Sequence, residues 1–336
     1  MVKNWNFLEK EKSTMQQFLA MMSLQPLLTI VITNYNHGKY LPKAIDCLVS
    51  QDFFPFEILI IDDASTDNSL EIINKYASQY SFIRVIAHKK NQGVCFALCE
   101  GIEEAKGTYV HTMGADDYRL PGFIKKTMTV LLEQPHIGVA CSNFGYITGH
   151  TNEGPILTEK LIESFSAPVI FDSREILRVF QTTHLWVPGH TAILKRESAL
   201  KYKKYDQSLK FLCDWFLLHQ IALNEGVIYI PETLSVWWIH PSSYSANLLQ
   251  DKKSKKTVYR NLFQLLFESK DQKTSQLFIK STLLRVAFNA LFAEIFYKPK
   301  YWISFVFFLR KSMSLRWEFI QGKIESWKKS IIGETA

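Results

Sequence analysis

Short runs of apolar residues alternate along the chain with longer segments in which apolar residues recur at helical spacing. Continuous β-branched and aliphatic runs predict buried strands at residues 27–33, 56–61, 82–87 and 108–113. Helical spacing predicts helices between them, at residues 39–50, after a cap at Thr66 or Asp67, and at residues 93–105. Strands that alternate with helices of this length predict an α/β fold with a doubly wound, mostly parallel sheet.

The same kind of pattern continues into the second half of the chain. It predicts helices at residues 122–133, from residue 172, and at 213–224, and strands at 137–141, 189–194, 227–230 and 234–239. Between them, residues 145–168 are polar and contain Gly, Thr and Pro, which predicts a long loop. The late strands are expected to return to the sheet that the first four strands begin.

Polar and acidic residues follow three of the first four predicted strands. The sequence NYNHG follows the first strand at residues 34–38, DDASTD follows the second at 62–67, and Asp116 and Asp117 follow the fourth. In open α/β sheets, ligands bind in the crevice outside the carboxyl ends of the strands, and adjacent carboxylates suit Mg²⁺ or Mn²⁺. A solvated turn is the alternative interpretation of Asp-Asp alone, because Asp is a common turn residue.

Composition narrows the class of protein. The 336 residues are 47% apolar, enough for one large packed domain or two ordinary ones. The five cysteines are odd in number and include no Cys-x-x-Cys pair, which favours reduced core thiols in a cytoplasmic protein over disulfides or zinc. No Gly-x-Gly-x-x-Gly follows the first strand, which disfavours a dehydrogenase.

Charge is distributed unevenly. Residues 251–336 hold 17 Lys and Arg against 7 Asp and Glu, whereas the whole chain carries a net charge of +7. No apolar run reaches the roughly 18 residues of a membrane-spanning helix. The aromatic run at residues 301–309 is expected either to pack on the body or to meet an anionic membrane surface from the cytoplasmic side. No nucleic-acid recognition element is evident, so nucleic acid is not an expected partner.

Four motifs, considered together, point to a family. TNYN at 33–36, IDDASTD at 61–67, NQG at 91–93 and ADD at 115–117 resemble, in this order, the motifs of family-two glycosyltransferases, which are inverting enzymes of the GT-A fold. The resemblance covers about residues 26–245. It implies three regions: an N-terminal helical extension at 1–25, a GT-A domain at 26–245, and a basic helical C-terminal region at 246–336.

The resemblance also implies roles for particular residues. Thr33 and Tyr35 would line the base and ribose of a nucleotide-diphosphate sugar, and Asp63 would accept hydrogen bonds from the base. The full set of implied donor-binding residues is Thr33, Asn34, Tyr35, Asp62, Asp63, Asn91, Gly93, Ala115 and Asp116. Asp116 and His240 would hold Mg²⁺ or Mn²⁺, Asp214 would be the general base, and the acceptor would meet Asp117, His190 and Trp215.

The chemistry of these residue types fits that reaction independently of the family. A nucleotide-diphosphate leaving group gains negative charge as the sugar departs, and a divalent cation can stabilise that charge. A carboxylate can take the proton of the attacking hydroxyl, and direct displacement inverts the anomeric centre. We therefore expect transfer of a sugar, with UDP the favoured carrier, to a hydroxyl of a glycan or polyprenyl-linked acceptor in cell-surface polysaccharide synthesis.

Some residues depart from the family pattern. Gly114 stands where the first acid of Asp-x-Asp is usual, Leu98 and Cys99 replace a frequent Arg-Asn, and Trp238 stands where an Arg often precedes the His. These departures leave a noncatalytic nucleotide-sugar-binding or scaffold protein of the same fold as the alternative. Structural roles also stay open for several predicted site residues: helix or turn capping for Asp62, Asp67 and Asp214, loop shaping for Asn91 and Gly93, a core position for His190, and a surface position for His240.

Overall fold

The computed structural model describes residues 25–53, 55–149, 154–183, 185–240, 251–268, 271–281 and 283–284. The predicted N-terminal helix at 1–25, apart from Gln25, and the aromatic run at 301–309 lie outside these described residues.

The first half of the chain forms the predicted alternation of strands and helices. Its elements are β1 (Leu28–Asn34), α1 (Leu41–Val49), β2 (Phe56–Asp62), α2 (Ser69–Gln79), β3 (Ile83–Ala87), α3 (Val94–Glu104) and β4 (Tyr109–Gly114). The four strands are parallel and lie in the order β3-β2-β1-β4. Every residue of β1 and β2 is buried, which is why both strands are near-continuous apolar runs in the sequence.

The second half extends this sheet with strands of both directions. Its elements are β5 (Tyr118–Arg119), α4 (Phe123–Glu133), β6 (Val139–Thr148), β7 (Leu157–Glu159), β8 (Val169–Phe171), α5 (Ser173–Thr182), β9 (Ile193–Lys195), α6 (Arg196–Lys201), α7 (Cys213–Glu225) and β10 (Val227–Ile239), with 3-10 turns at Gly189–Thr191 and Gln207–Leu212. The main path of the sheet is β3-β2-β1-β4-β9-β6-β10-β5. β9 is antiparallel to both β4 and β6, whereas β10 is parallel to β6. The architecture is the mixed, mostly parallel sheet with flanking helices that the sequence predicts.

Several predicted element bounds are wrong. β6 continues to Thr148, and the stretch predicted as a loop contains β7. The two strands predicted at 227–230 and 234–239 are one strand, β10, whose pairing with β6 shifts register at Thr233. A bulge absorbs the polar residues that separate the two apolar runs in the sequence. The predicted strand at 189–194 begins instead with a 3-10 turn, and Asn68 rather than Thr66 or Asp67 is the N-cap of α2.

Helices cover both faces of the sheet. α1, α2 and α4 pack on one face, and α3, α5 and α7 pack on the other. Two helices of the C-terminal region, α8 (Lys252–Phe263) and α9 (Gln272–Ser281), join the second of these layers. Leu262, Phe263 and Phe278 are fully buried there, so the core includes residues beyond the predicted domain boundary at 245. Within the described residues, no helix combines the length and apolar character needed to cross a bilayer.

Candidate active site

Hydrogen bonds between polar side chains connect the carboxyl ends of β1 and β2. Asn34 and Asp62 are register partners, and Asn34 Nδ2 donates to Asp62 Oδ1 over 2.7 Å and to Ser65 Oγ over 3.1 Å. Asp62 also accepts hydrogen bonds from the Ser65 backbone N–H and hydroxyl. Asp62 is fully buried, so these contacts support a structural role that fixes the two loops at this edge.

Thr33 and Tyr35 flank Asn34 at the carboxyl end of β1: Thr33 lies in the strand and Tyr35 follows it. Thr33 is 9% exposed, whereas Tyr35 is 47% exposed and is one of the few large hydrophobic side chains that face solvent in the described part of the chain. The exposure of the Tyr35 ring leaves room for the predicted contact with a nucleotide, which stays a prediction.

Asp63, the residue after β2, organises the loop that precedes α3. Its Oδ2 accepts a hydrogen bond from the Gly93 backbone N–H over 2.8 Å, and its Oδ1 accepts one from Gln92 over the same distance. Oδ1 also lies 2.7 Å from Nδ1 of His88. Asp63 is 4% exposed, and most of its acceptor positions are already used by the chain. Its main observed contacts hold Gln92 and Gly93 in place, and Asn91 is exposed next to them.

Asp116 and His240 meet although 124 residues separate them in the sequence. Asp116 follows β4 and His240 follows β10, and His240 Nε2 lies 3.0 Å from Asp116 Oδ2. Burial alone would raise the pKa of Asp116, but the hydrogen bond from His240 and the nearby charge of His37 outweigh burial and lower it. The Trp238 ring, which takes the place of an Arg in the family pattern, stacks on His240 with ring centroids 3.9 Å apart. His240 is thus a buried, oriented side chain and not a surface histidine.

A metal ion of the kind expected fits this pair only in part. Within the described residues, no group of three or more His, Cys, Asp or Glu is arranged to hold a metal ion. Mg²⁺ is commonly bound by one or two carboxylates together with substrate phosphates and water. Asp116 and His240 can supply that small share of ligands, provided that the diphosphate supplies others. An ionised Asp116 can only accept, so His240 Nε2 carries a proton in this contact and must give it up before it can bind a metal.

Asp117 has a different environment from its neighbour. It is 9% exposed, and its carboxylate accepts a hydrogen bond from the Trp238 backbone N–H over 3.4 Å. Burial, followed by the negative charge of Asp116, raises the pKa of Asp117 to about 7. This position supports a role inside the sheet edge more than the predicted contact with an acceptor.

Asp214 lies in the first turn of α7, whose N-cap is Leu212. Asp214 therefore does not cap the helix, although its Oδ1 accepts a hydrogen bond from the Trp215 backbone N–H over 2.7 Å. A Cβ atom built on Gly189 would lie 2.3 Å from Asp214 Oδ2, so the carboxylate occupies the space that a side chain at 189 would need. Burial raises the pKa of Asp214 above its ordinary value, with the backbone hydrogen bonds opposing that shift. A carboxylate with a raised pKa is a stronger base once ionised.

The remaining predicted acceptor residues divide between two environments. His190 follows Gly189 and packs against aromatic rings, with centroid distances of 4.6 Å to Phe144 and 5.5 Å to Trp237. Its buried Nε2 has no hydrogen-bond partner in the described part of the chain. Trp215 is 8% exposed and packs against Phe278 with ring centroids 5.6 Å apart, which supports a core role instead of an acceptor contact.

Three polar residues of this region were missed from the sequence. His37 lies near Asp116, His88 lies between two carboxylates, and the Arg119 side chain is buried with Nε donating to His111 Nε2 over 2.8 Å. His37 stands inside the NYNHG motif and His88 directly follows β3, so both occupy strand ends of the kind that the sequence analysis singled out elsewhere. For the buried Arg119, no sequence pattern gave a signal.

Comparisons with known proteins define the class to which this fold and site belong. The structure is similar to two solved structures that contain nucleotide sugars, each covering 88% of this chain at 15% sequence identity. Staphylococcus aureus TarS 1-349 in complex with UDP-GlcNAc has a TM-score of 0.54 and is covered over 92% of its length. The mannosyltransferase PcManGT from Pyrobaculum calidifontis in complex with GDP-Man and Mn²⁺ has a TM-score of 0.52 and is covered over 88%. These similarities establish the GT-A fold.

Sequence comparison then gives the family. The model of Glycosyl transferase family 2 matches residues 29–202, slightly more than half of the chain, and the chain belongs to this family. An uncharacterized glycosyltransferase of Mycoplasma pneumoniae, the MG025 homolog, is 29% identical over 65% of this chain and 69% of its own length. The uncharacterized glycosyltransferase YibD of Escherichia coli is 37% identical over 40% of this chain, which spans only 38% of that relative's length.

Proposed function

We propose that this family-two glycosyltransferase moves a sugar from a nucleotide-diphosphate donor, with UDP the favoured carrier, to a hydroxyl group with inversion. The observation that carries the proposal is the meeting of Asp116 and His240 at the same sheet edge as the loops of Tyr35 and Asp63. Such an edge is where open α/β sheets bind ligands. Among the similar solved structures, TarS was determined with UDP-GlcNAc and PcManGT with GDP-Man, which supports a nucleotide sugar as the ligand class.

Asp116 and His240 are the residues that would hold Mg²⁺ or Mn²⁺ beside the diphosphate. The ion, when bound, would stabilise the negative charge of the departing nucleoside diphosphate. The lowered pKa of Asp116 keeps its carboxylate ionised at neutral pH, which both a metal ion and an N–H donor at His240 Nε2 require. The stacked Trp238 ring limits the orientations that His240 can adopt.

Asp214 is the proposed general base. It would take the proton of the acceptor hydroxyl while that oxygen attacks the anomeric carbon, and the nucleoside diphosphate would leave from the opposite face. The tight contact with Gly189 restricts where the Asp214 carboxylate can lie, as a base that must meet one hydroxyl requires. The aromatic surface of His190 and Trp237 adjoins Gly189 and supports a sugar ring as the acceptor group.

The acceptor is proposed to be a glycan or a polyprenyl-linked sugar used in cell-surface polysaccharide synthesis. The support for a lipid-linked acceptor is the positive charge of the C-terminal region, which would be attracted to an anionic membrane surface. We propose peripheral attachment at the cytoplasmic face for the same reason.

A panel of UDP-sugars and GDP-sugars, each incubated with and without Mn²⁺, tests the donor and the metal together. Release of nucleoside diphosphate from at least one donor is expected, and Asp214→Asn should reduce that release by about a hundredfold or more without weakening donor binding. Nucleotide-sugar binding with no turnover for any donor or acceptor would favour the noncatalytic alternative. No binding of any nucleotide sugar would refute the proposal.

A further inference from the structure

His88 lies between two carboxylates, one on each side of its ring. Nδ1 is 2.7 Å from Asp63 Oδ1, and Nε2 is 2.7 Å from Glu100 Oε2. The His88 side chain is 6% exposed, and its ring meets the Phe96 ring edge-on at a centroid distance of 5.7 Å. His88 therefore links three elements: the end of β3, the loop after β2, and α3.

The two short contacts determine the protonation state of the ring. An ionised carboxylate has no hydrogen to donate, so each of the two ring nitrogens must carry one. A neutral imidazole would instead turn the lone pair of one nitrogen toward a carboxylate oxygen. The arrangement thus describes an imidazolium ion shared by Asp63 and Glu100. Burial alone would lower the pKa of His88, but the hydrogen bonds and charges of the two carboxylates outweigh it and raise the pKa above its ordinary 6.5.

Asp63 connects His88 to the loop that precedes α3. Asp63 holds the backbone N–H groups of Gln92 and Gly93, and Gly93 has a φ of 91°, a conformation that side chains rarely allow. If the proton on His88 is lost, one of its two carboxylate contacts becomes repulsive. Asp63 is then held less firmly, and the loop at 91–93 loses part of what fixes its shape.

Solvent reaches this cluster from one side. A cleft of about 320 Å³ is lined by Phe96, Glu100 and Glu103 of α3 and by Lys203 and Lys204 across from them. Glu100 keeps 27% of its side chain exposed, so solvent reaches this end of the bridge. Asp63 and Glu100 are the charged groups that contact His88, and the cleft beside Glu100 also holds the charged side chains of Glu103, Lys203 and Lys204.

We propose that protonated His88 is a positioning residue for the donor nucleotide: by bridging Asp63 and Glu100 it keeps the 91–93 loop in its nucleotide-binding shape. This inference rests on the proposed function, because it takes the edge of β1 and β2 as the nucleotide site. The raised pKa sets the sign of the pH dependence. The bridge is complete below about pH 6.5 and is lost as the pH rises through the folded-state pKa of His88.

Glu100→Gln is the sharpest variant for a test. A Gln amide can donate to Nε2, so a neutral His88 can keep both contacts and the demand for the extra proton disappears. His88→Asn removes the bridge altogether. His136, which is exposed in the turn between α4 and β6, provides a matched control as His136→Asn.

Calorimetric titrations with UDP and with GDP should be run on each protein between pH 5.5 and 9.5. We expect the affinity of the unmodified protein to fall about tenfold across this range, equivalent to 1.4 kcal/mol, and His136→Asn to behave alike. Glu100→Gln should show a flatter profile with its high-pH affinity retained, and His88→Asn should bind weakly at every pH. Equal profiles for the unmodified protein and Glu100→Gln would overturn the positioning role.

An NMR titration of the histidine ring signals, with the His88 signal assigned by its loss in His88→Asn, measures the proton independently of any ligand. A His88 pKa above 6.5 that falls in Glu100→Gln is expected, and a pKa at or below 6.5 would refute the imidazolium bridge. If neither nucleotide binds at any pH, the proposed nucleotide function and the positioning role both fail. A His88 pKa above 6.5 in the same protein would still support the imidazolium bridge between Asp63 and Glu100.

Discussion

Gly189→Ala tests the placement of Asp214 without changing Asp214. The added Cβ would lie 2.3 Å from Asp214 Oδ2, about 1 Å short of the 3.4 Å at which ordinary contact begins. No backbone strain is expected, because Gly189 does not have the positive φ that disfavours other residues. The carboxylate would have to move by about 1 Å, since it is the end of a side chain and yields more easily than the backbone.

Such a displacement should cost far more in rate than in stability. A misplacement of about 1 Å can reduce catalysis by about a hundredfold. Overpacking a core position costs roughly 1–3 kcal/mol, and the cost at Gly189 should be near the lower figure because the carboxylate can rotate. We therefore expect kcat to fall about a hundredfold, with a Tm lowered by a few degrees and unchanged donor affinity.

The assay is release of nucleoside diphosphate from the donor identified by the panel, measured per folded molecule. Gly189→Ala should be compared with Asp214→Asn and with the double variant that carries both changes. Because both changes act through one carboxylate, the double variant should be little slower than Asp214→Asn. A normal rate in Gly189→Ala, or losses that multiply in the double variant, would refute the view that Gly189 fixes the position of a catalytic base.

Three further predictions concern the metal, the buried acid and the membrane. Asp116→Asn should abolish the part of nucleoside-diphosphate affinity that Mn²⁺ adds, and equal calorimetric gains from Mn²⁺ in both proteins would contradict its role. Asp117 has a pKa raised to about 7, so it favours the folded state below about pH 4 and loses that stability as the pH rises to about 7. The free energy of unfolding of Asp117→Asn relative to that of the unmodified protein, measured with urea, should therefore be a few kcal/mol higher at pH 8 than at pH 4. An equal difference at the two pH values would contradict this. Removal of residues 285–336 should abolish flotation with anionic vesicles at low salt and keep the core helices α8 and α9, and equal flotation with neutral vesicles would argue against the electrostatic attachment.

The sequence predicted the sheet wherever a buried strand is an uninterrupted apolar run. β1 and β2 are buried on both faces, so the side chains on both faces are mostly apolar and each strand appears in the sequence as a continuous apolar run. β10 was divided in two because its register shift at Thr233 places polar residues inside a continuous strand. The short strands β5 and β7 hold two and three residues and have too few positions for any period to appear.

The site was predictable as a set of strand ends, but not as a set of contacts. The parallel alternation placed Asp63 and Asp116 at one edge, as the structure has them. What the linear pattern did not contain is which polar group each acid meets. His88 and Asp63 are 25 residues apart, and the partner of Asp116 is 124 residues away, so both pairings depend on sheet order and loop course. For the same reason the sequence did not show that Asp117 and Trp215, both predicted to meet the acceptor, are buried.

Two glycines at this edge have the same physical role. A Cβ on Gly114 would lie 2.5 Å from Asp116 Oδ1, and one on Gly189 would lie 2.3 Å from Asp214 Oδ2. Each of the two acids on which the proposed mechanism depends therefore lies against a position that has no side chain. In the sequence, Gly114 reads as the loss of the first acid of Asp-x-Asp and so as a sign of lost activity. In the structure, an Asp at 114 would displace Asp116 and weaken its contact with His240. Gly114 thus leaves the Asp116 carboxylate the space that it occupies, and by itself it gives no support to the noncatalytic alternative.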